Sequence, residues 1–527
     1  MTKGRIRKLI ERSRSGIWIA LMILMPLIIA TFFTLFQVVF KKADPFPGII
    51  WNDEAVYLKL IETYAKSASP LGYWGFNAEH AILGSGPAWS PAIIMPYAIF
   101  AKIFPVGRSF VFFINLIYLL LANVAFYFLA KPSKEECIGL AGMEAFSVPI
   151  LLYLTTNMSE LFRYAVAIVL AGMIYYIYFK KGKVWIKYIL IPLFLLYSVQ
   201  VYIFFAFAIP LYISGLMKNK KWPLRFLVSL PVTLVVTGGS YYFLHLISSN
   251  YNIGKTEGLL TALSSGDILG AIKNFFSMMK EGIGGIWYLK NYFQISPLYP
   301  YSVILAFSII VVGLFMAFRE KMITDKKTDP KIGRIVAHSV ALFYLMYLTL
   351  YTIVPDTFYR GTQIVVIFSL YLIAMCEREY IVRFFLLFSL AGVFLMHPQL
   401  KTFTENRYTA MKEKDDWNEL KLELNEIMVA DPKKDLWDNT VLMYTMEPKV
   451  ICAVPTGLAQ NYVLEDGLFD EKPGYLLFSK TPDEKKNPEW IEKSYESIYS
   501  ENKDVLDKNY IVIYETDSYI IYKKGQK

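Results

Sequence analysis

The chain carries several runs of apolar residues, each near or above the roughly 18 residues that mark a membrane-spanning helix. Its 527 residues are 55% hydrophobic and 16% aromatic. The first run, at residues 17–40, exceeds the roughly 7 to 15 residues of a signal-peptide core and lacks a small-residue cleavage site. This run therefore predicts a retained anchor, and the whole chain is predicted to be a polytopic membrane protein.

The net charge of +10 is divided unevenly along the chain. Residues 398–527 carry 18 Lys and Arg against 25 Asp and Glu, whereas residues 1–397 carry 36 against 19. The excess positive charge lies in short loops between apolar runs, which is the positive-inside pattern of membrane proteins. A basic region of this kind predicts contact with membrane lipids, and no nucleic-acid partner is expected.

The basic loops also predict the orientation of the chain in a cell membrane. Six basic residues before the first run place the N-terminus in the cytoplasm, so residues 41–105 form a large first outer loop. Within that loop, residues 55–67 have the pattern of an interfacial amphipathic helix. The remaining runs give about eleven spans, with residues 398–527 outside. The predicted fold is an all-α membrane domain at 1–397 and an extracytoplasmic α/β domain at 398–527.

Local patterns give further expectations. Residues 184–217 are predicted to break near residues 198–200, and the glycine-rich residues 282–288 are predicted to be a flexible lid or interfacial turn. In the tail, the helical spacing of residues 417–428 predicts a helix. Short strands are predicted at residues 439–445 and 450–454, and a hairpin at residues 510–514 and 518–522.

Reporter fusions test the predicted orientation. A fusion at Lys327, within a basic loop, is expected to read as cytoplasmic, and a fusion at Asp470 is expected to read as external. The measurement is the activity of a reporter that is active on only one side of the membrane. A cytoplasmic tail would contradict both the span count and the placement of the site described next.

Two adjacent acids, Asp53 and Glu54, follow the first apolar run by about a dozen residues. A carboxylate at the head-group level beside an apolar wall is partly desolvated, so it is suited to take a proton from a hydroxyl. The alternative is a helix start, in which Asn52 or Asp53 is the N-cap and Glu54 lies in the first turn. The two interpretations are compatible.

The segment Trp51-Asn52-Asp53-Glu54-Ala55, together with the order of spans and tail over about 400 residues, resembles the polyprenyl-phosphate-dependent glycosyltransferases of the GT-C fold. That group includes protein O-mannosyltransferases and aminoarabinose transferases of lipid A. The resemblance implies an inverting hexosyl- or pentosyltransferase that moves a sugar from a polyprenyl-phosphate donor to a cell-surface glycan, lipid or protein. It implies that Asp53 is the general base, and that Glu54 orients the acceptor or shares the proton.

Two arginines near the outer ends of spans are candidates to neutralise the donor phosphate, Arg163 and Arg360. Each has a simpler explanation. Arg163 has the i,i+3 spacing for an ion pair with Glu160, and Arg360 is placed to reach lipid head groups.

Further along the first outer loop, Trp74, Glu79 and His80 are candidates for binding the acceptor, because aromatic planes stack on sugar rings and polar groups bond their hydroxyls. An aromatic belt at the membrane interface would explain the same residues. The three cysteines and four histidines show no metal-ligand spacing. The expected cofactor is therefore none beyond the lipid-linked sugar. The absence of a second marked acidic motif leaves metal dependence open.

Glu144 lies inside an apolar run, where a charge must be paired, protonated or next to water. We expect Asn115 and Asn123 to be its neighbours. Polar groups of this kind also suit a transporter or flippase of a lipid-linked envelope precursor, although no two-fold repeat of broken helices is present. A non-catalytic scaffold of envelope assembly is a third possibility, and the intact pair Asp53 and Glu54 argues against it.

Overall fold

The computed structural model describes residues 3–67, 90–180, 182–247, 257–292, 297–322, 331–350, 355–376, 379–409, 414–431, 433–434, 438–445, 447–455, 458–462, 472–480 and 495–525. The helices of the N-terminal part are α1 (Lys3–Lys41), α2 (Asn52–Ser67), α3 (Pro91–Ala101), α4 (Phe110–Ala130), α5 (Lys134–Ala145), α6 (Val148–Leu154), α7 (Glu160–Phe179), α8 (Ile191–Val201), α9 (Ala208–Leu216), α10 (Trp222–Ile247), α11 (Glu257–Ser264), α12 (Ile268–Tyr292), α13 (Leu298–Met322), α14 (Lys331–Leu350), α15 (Pro355–Ala374) and α16 (Glu379–Thr409). The C-terminal part contains α17 (Lys414–Ile427), β1 (Thr440–Tyr444), α18 (Pro448–Ala453), β2 (Ala459–Tyr462), β3 (Tyr475–Ser479), α19 (Tyr495–Asn509), β4 (Tyr510–Glu515) and β5 (Tyr519–Lys524).

Apolar helices dominate the N-terminal part, as the hydrophobic runs predict. Among the described residues, six helices are long and apolar enough to cross a membrane, in α1, α4, α7, α10, α13 and α16. The pair α5 and α6, bent by 58°, would be a seventh. Several shorter apolar helices accompany them, so the predicted count of eleven spans is not confirmed. The predicted combination of a helical membrane part with a C-terminal α/β part is confirmed.

The break predicted within residues 184–217 is present, at Tyr202. This residue has extended backbone angles (φ −158°, ψ 118°) between α8 and a short 3₁₀ helix at Ile203–Phe207. The lid predicted at residues 282–288 is wrong, because this segment lies within α12. A Cβ on Gly282 would lie 1.9 Å from the Leu348 carbonyl oxygen of α14. The glycine therefore permits close helix packing rather than a turn.

Glu144 is buried and paired, as a carboxyl inside an apolar helix requires. Asn123 Nδ2 of α4 donates to Glu144 Oε1 at 2.8 Å, and the Tyr371 hydroxyl of α15 donates to the same oxygen. Asn115, the other expected neighbour, instead accepts a hydrogen bond from the Tyr97 hydroxyl at 2.6 Å. Glu144 therefore connects α4, α5 and α15 through polar contacts in an apolar core.

The C-terminal part contains a mixed five-stranded sheet in the order β2-β1-β3-β5-β4. The first three of these strands are parallel to one another, whereas β5 is antiparallel to β3 and to β4. The predicted strand at residues 439–445, the hairpin and the helix at residues 417–428 are confirmed as β1, β4–β5 and α17. The strand predicted at residues 450–454 is wrong. These residues lie largely in α18, which Pro448 starts with a preset φ at its first turn.

Helix α2 is buried on all sides along most of its length, although an interfacial helix with one exposed face was expected. Lys59 is covered as completely as the apolar Leu60 and Ile61, and Glu62 is also buried, with 8% of its surface exposed. Helix α3 packs on one side of α2, and α18 of the C-terminal part packs on another. The C-terminal part therefore completes the surroundings of the segment that carries Asp53 and Glu54. The predicted boundary after residue 397 lies inside α16.

Candidate active site

Glu54 lies in the first turn of α2 and caps this helix. The helix begins at Asn52, so Trp51 occupies the N-cap position, and Glu54 is the third helical residue. Glu54 Oε2 accepts the backbone N–H of Trp51 at 3.0 Å and that of Ile50 at 2.9 Å. This is the reciprocal half of a capping box, in which the third residue bonds back to the N-cap amide. The helix start expected from the sequence is present, with Glu54 in its first turn, but the expected N-cap at Asn52 or Asp53 is wrong, because that position belongs to Trp51.

The other oxygen of Glu54 forms a fully buried ion pair with Arg407, a residue near the C-terminal end of α16. Arg407 Nη1 lies 2.5 Å from Glu54 Oε1, and neither side chain is exposed to solvent. The guanidinium carbon lies 4.5 Å from the ring centres of both Trp51 and Phe403. These rings provide cation–π contacts, which are strongest when the cation is desolvated.

Glu54 also bonds the turn before α7. Its Oε1 accepts the backbone N–H of Asn157 at 2.7 Å. One carboxylate thus holds together the entry to α2, the end of α16 and the connection between α6 and α7. Because these bonds use both oxygens within a buried environment, Glu54 serves the fold directly, and its predicted role toward an acceptor stays a prediction.

Asp53 points to a different set of groups. Its Oδ2 accepts two hydrogen bonds from Arg360, from Nη1 at 3.2 Å and from Nη2 at 3.1 Å. Both side chains keep about a fifth of their surface exposed, 19% for Asp53 and 20% for Arg360. The arginine lies in the second turn of α15, so this pair connects α2 to α15. The carboxylate is accessible, unlike that of its neighbour Glu54.

The pair of Asp53 and Arg360 is one end of a row of four alternating charges. Arg360 Nη1 lies 3.7 Å from Glu160 Oε1, and Arg163 Nη1 lies 3.9 Å from the same oxygen. The expected pair of Arg163 with Glu160 is therefore present. At the far end, the Arg163 guanidinium lies 4.8 Å from the ring centre of Tyr202, at the break after α8. Glu160 is buried and shared by two arginines.

Tyr57, one helical turn after Asp53 on the same face of α2, adds a buried phenol beside these charges. Burial raises the pKa of Tyr57 above its usual value, and the neighbouring Arg163 opposes this rise. The phenol therefore stays protonated at neutral pH, so that it is a hydrogen-bond donor and not a base. The described site thus combines an accessible carboxylate, two guanidinium groups and a neutral hydroxyl.

The fold brings together three of the residues predicted from the sequence, Asp53, Arg163 and Arg360. Trp74, Glu79 and His80 lie outside the described residues. Sequence reasoning missed Arg407 as the partner of Glu54, and it treated Glu160 only as a partner of Arg163. A signal for Arg407 was available, since a buried carboxylate requires a cation and Arg407 follows the last apolar run by three turns of helix.

Within the part of the chain that the structure describes, no group of three or more His, Cys, Asp or Glu side chains is arranged to hold a metal ion. Arginine side chains balance the negative charges of Asp53 and Glu160. The polar chemistry that these residues can perform is proton acceptance at Asp53 and anion binding at the guanidinium groups.

Comparison with known proteins finds no matching family model and no curated protein with a matching sequence. Solved structures match at low identity. ArnT from Cupriavidus metallidurans bound to undecaprenyl phosphate is 11% identical, with 97% of this chain and 99% of that chain covered and a TM-score of 0.40. The archaeal oligosaccharyltransferase AglB from Archaeoglobus fulgidus, in complex with an inhibitory peptide and a dolichol-phosphate, is 12% identical, with 87% and 69% covered and a TM-score of 0.44. These identities and TM-scores are too low to support a statement about the function of this chain.

Proposed function

We propose that the chain is a membrane glycosyltransferase that moves a hexosyl or pentosyl group from a polyprenyl-phosphate donor to a hydroxyl of a cell-surface glycan, lipid or protein. The observation that carries this proposal is the accessible carboxylate of Asp53, held at 3.1 Å by Arg360 beside a second arginine, Arg163. A base next to two anion-binding groups is what transfer from a phosphate leaving group requires.

Asp53 acts as the general base in this reaction. The acceptor oxygen forms a bond to the anomeric carbon while its proton passes to the Asp53 carboxylate. The bond from that carbon to the phosphate oxygen breaks on the opposite side, so the configuration inverts and the lipid phosphate leaves with the electron pair. A carboxylate paired with a guanidinium is in its charged form, which is the form that accepts a proton.

Arg360 binds the phosphate and thereby couples donor binding to the base. In the structure, Arg360 directs two hydrogen bonds at Asp53 Oδ2. A phosphate competes for the same donors, and when it takes them the Asp53 carboxylate is released to contact the acceptor hydroxyl. Arg163 supplies the second positive charge, and the protonated hydroxyl of Tyr57 supplies a neutral donor to the same anion. Glu54 acts as a positioning residue, because its bonds fix the first turn of α2 that carries Asp53.

Changing Arg360 to Ala tests the phosphate role. Loss of a charge-assisted hydrogen bond is expected to weaken binding of a short-chain polyprenyl phosphate by about 1.5 to 3 kcal/mol, or roughly 10- to 150-fold. Arg163→Ala is expected to have an effect in the same range. The measurement is calorimetric titration of purified full-length protein, with membrane level recorded for each variant.

The matched control is Arg225→Ala, since Arg225 is a partly exposed arginine of α10 outside the site. This variant is expected to bind the short-chain polyprenyl phosphate as the wild type does. Unchanged affinity in both Arg163→Ala and Arg360→Ala would contradict the donor assignment and leave these arginines with structural or head-group roles only.

A further inference from the structure

Helix α12 presents a row of large apolar side chains to its surroundings. Ile268 is 71% exposed, Leu269 80% and Phe276 62%, and Ile272 and Ile283 are about half exposed. Ile268, Ile272 and Phe276 follow one another at intervals of four residues, and Ile283 comes seven residues later, so all four lie on one side of the helix. Together with Leu269 they form an apolar stripe about 100° wide at 3.6 residues per turn.

The face of α12 next to this stripe packs against the rest of the protein. Ala271 and Met278 are buried, and the helix contacts α11 and α14. Gly282 lies on the same face, where its Cα approaches the Leu348 carbonyl of α14 so closely that no Cβ would fit. The orientation of α12 about its own axis is therefore fixed, and the apolar stripe has a defined direction.

Three observations place α12 at the surface of the bilayer. Leu348, which Gly282 contacts, is the last residue of the apolar part of α14, and the end of an apolar helix marks the membrane interface. The next span begins at Leu298, six residues after the end of α12 at Tyr292, a distance of at most about 22 Å. Among the described helices, α12 is not one of those apolar enough to cross the membrane. It therefore lies along the membrane surface.

The charged residues of α12 follow the edge of the apolar stripe. Lys273 and Lys280 are both exposed and are seven residues apart, which puts them on the side of the stripe that Leu269 ends. Ser277 and Glu281 are exposed on the face beyond the lysines. The order around the helix is thus packed face, apolar stripe, lysines and polar face. Lipids whose acyl chains cover the stripe would bring their phosphate groups to the level of the two lysines.

We propose that α12 is an interfacial helix that binds anionic phospholipid, with the apolar stripe among the acyl chains and Lys273 and Lys280 at the phosphate groups. Burial of the stripe in the acyl region removes its side chains from water. Lysines close to a membrane surface attract anionic head groups, and this attraction adds to the apolar contribution. None of these residues belongs to the Asp53 site, so the proposal does not depend on the proposed reaction.

Photochemical cross-linking tests where the stripe lies. The two variants are Phe276→p-benzoylphenylalanine, within the stripe, and Ser277→p-benzoylphenylalanine, on the exposed polar face, which is the matched control. Each purified full-length protein is reconstituted in vesicles of equal parts dioleoylphosphatidylglycerol and dioleoylphosphatidylcholine and irradiated, and mass spectrometry identifies the adducts. We expect lipid adducts in the variant at position 276 and few in the variant at position 277, because the polar face points to water.

The same adducts measure the head-group preference. In the variant at position 276, we expect phosphatidylglycerol adducts to exceed phosphatidylcholine adducts by about 5-fold or more, the usual effect of a lysine near an anionic surface. Adding Lys273→Gln and Lys280→Gln is expected to make the two yields nearly equal. The matched control adds Lys503→Gln and Lys508→Gln, at two exposed lysines of α19, and is expected to keep the preference.

Several results would overturn the proposal. Adducts of position 276 with a second copy of the chain would assign the stripe to a protein interface. Equal lipid yields at positions 276 and 277 would show that the stripe does not enter the bilayer. Equal yields of the two lipids, or a phosphatidylglycerol preference that persists after both lysines of α12 are changed, would contradict the binding of anionic head groups.

Discussion

Asp53→Asn is expected to lower sugar transfer by roughly 10²- to 10⁴-fold, the usual contribution of a positioned general base. Asparagine keeps the size of the side chain and most of its hydrogen bonding, but it accepts no proton at this step. Because Glu54 provides the capping contact with the Trp51 amide, α2 retains its start in this variant. The measurement is transfer of label from a radiolabelled polyprenyl-phosphate sugar pool to the cell-envelope fraction.

The same variant separates catalysis from donor binding. If Asp53 and the donor phosphate compete for Arg360, Asp53→Asn is expected to bind a short-chain polyprenyl phosphate at least as tightly as the wild type. The matched control is Asp44→Asn, an identical change in the same first loop outside α2. Full transfer activity in purified Asp53→Asn would contradict the assignment of Asp53 as the base. A different group would then accept the proton of the acceptor hydroxyl.

Arg407→Met is expected to destabilise the protein by about 3 to 5 kcal/mol, because it leaves the buried Glu54 carboxylate without its cation. Both side chains are fully buried, so water cannot replace the lost partner. The measurement is the apparent midpoint of thermal unfolding of purified protein in detergent, followed by intrinsic fluorescence. Transfer is expected to fall as well, since the first turn of α2 depends on Glu54.

A double variant distinguishes the ion pair from simple packing. In Glu54→Gln, Arg407→Met both charges are removed, and the loss is expected to be smaller than in Arg407→Met alone. Lys401→Met, an exposed position on the same helix α16, is the matched control and is expected to unfold at the wild-type midpoint. Equal midpoints for Arg407→Met and Lys401→Met would refute the energetic role of the pair.

Much of the helical architecture follows from local sequence patterns. The apolar run at residues 17–40 predicted the apolar part of α1, residues 16–41, because the preference for a bilayer depends on the composition of one segment. The hairpin of β4 and β5 was predicted for a similar reason, since its two strands are separated by a short turn. Other local predictions failed. Pro448 starts a helix where a strand was expected, and Gly282 lies where close packing against α14 holds it helical.

The polar site, like the helices, was predicted only in part from the sequence. The sequence by itself determined that Asp53 and Glu54 stand together near the end of the first span, and that Arg163 and Glu160 are close enough on one helix to pair. Only the tertiary structure decided which acid is accessible. Asp53 meets Arg360 across 307 residues and Glu54 meets Arg407 across 353. Burial and ion pairing are set by segments distant along the chain, and a local pattern contains no information about which distant segment will pack against it.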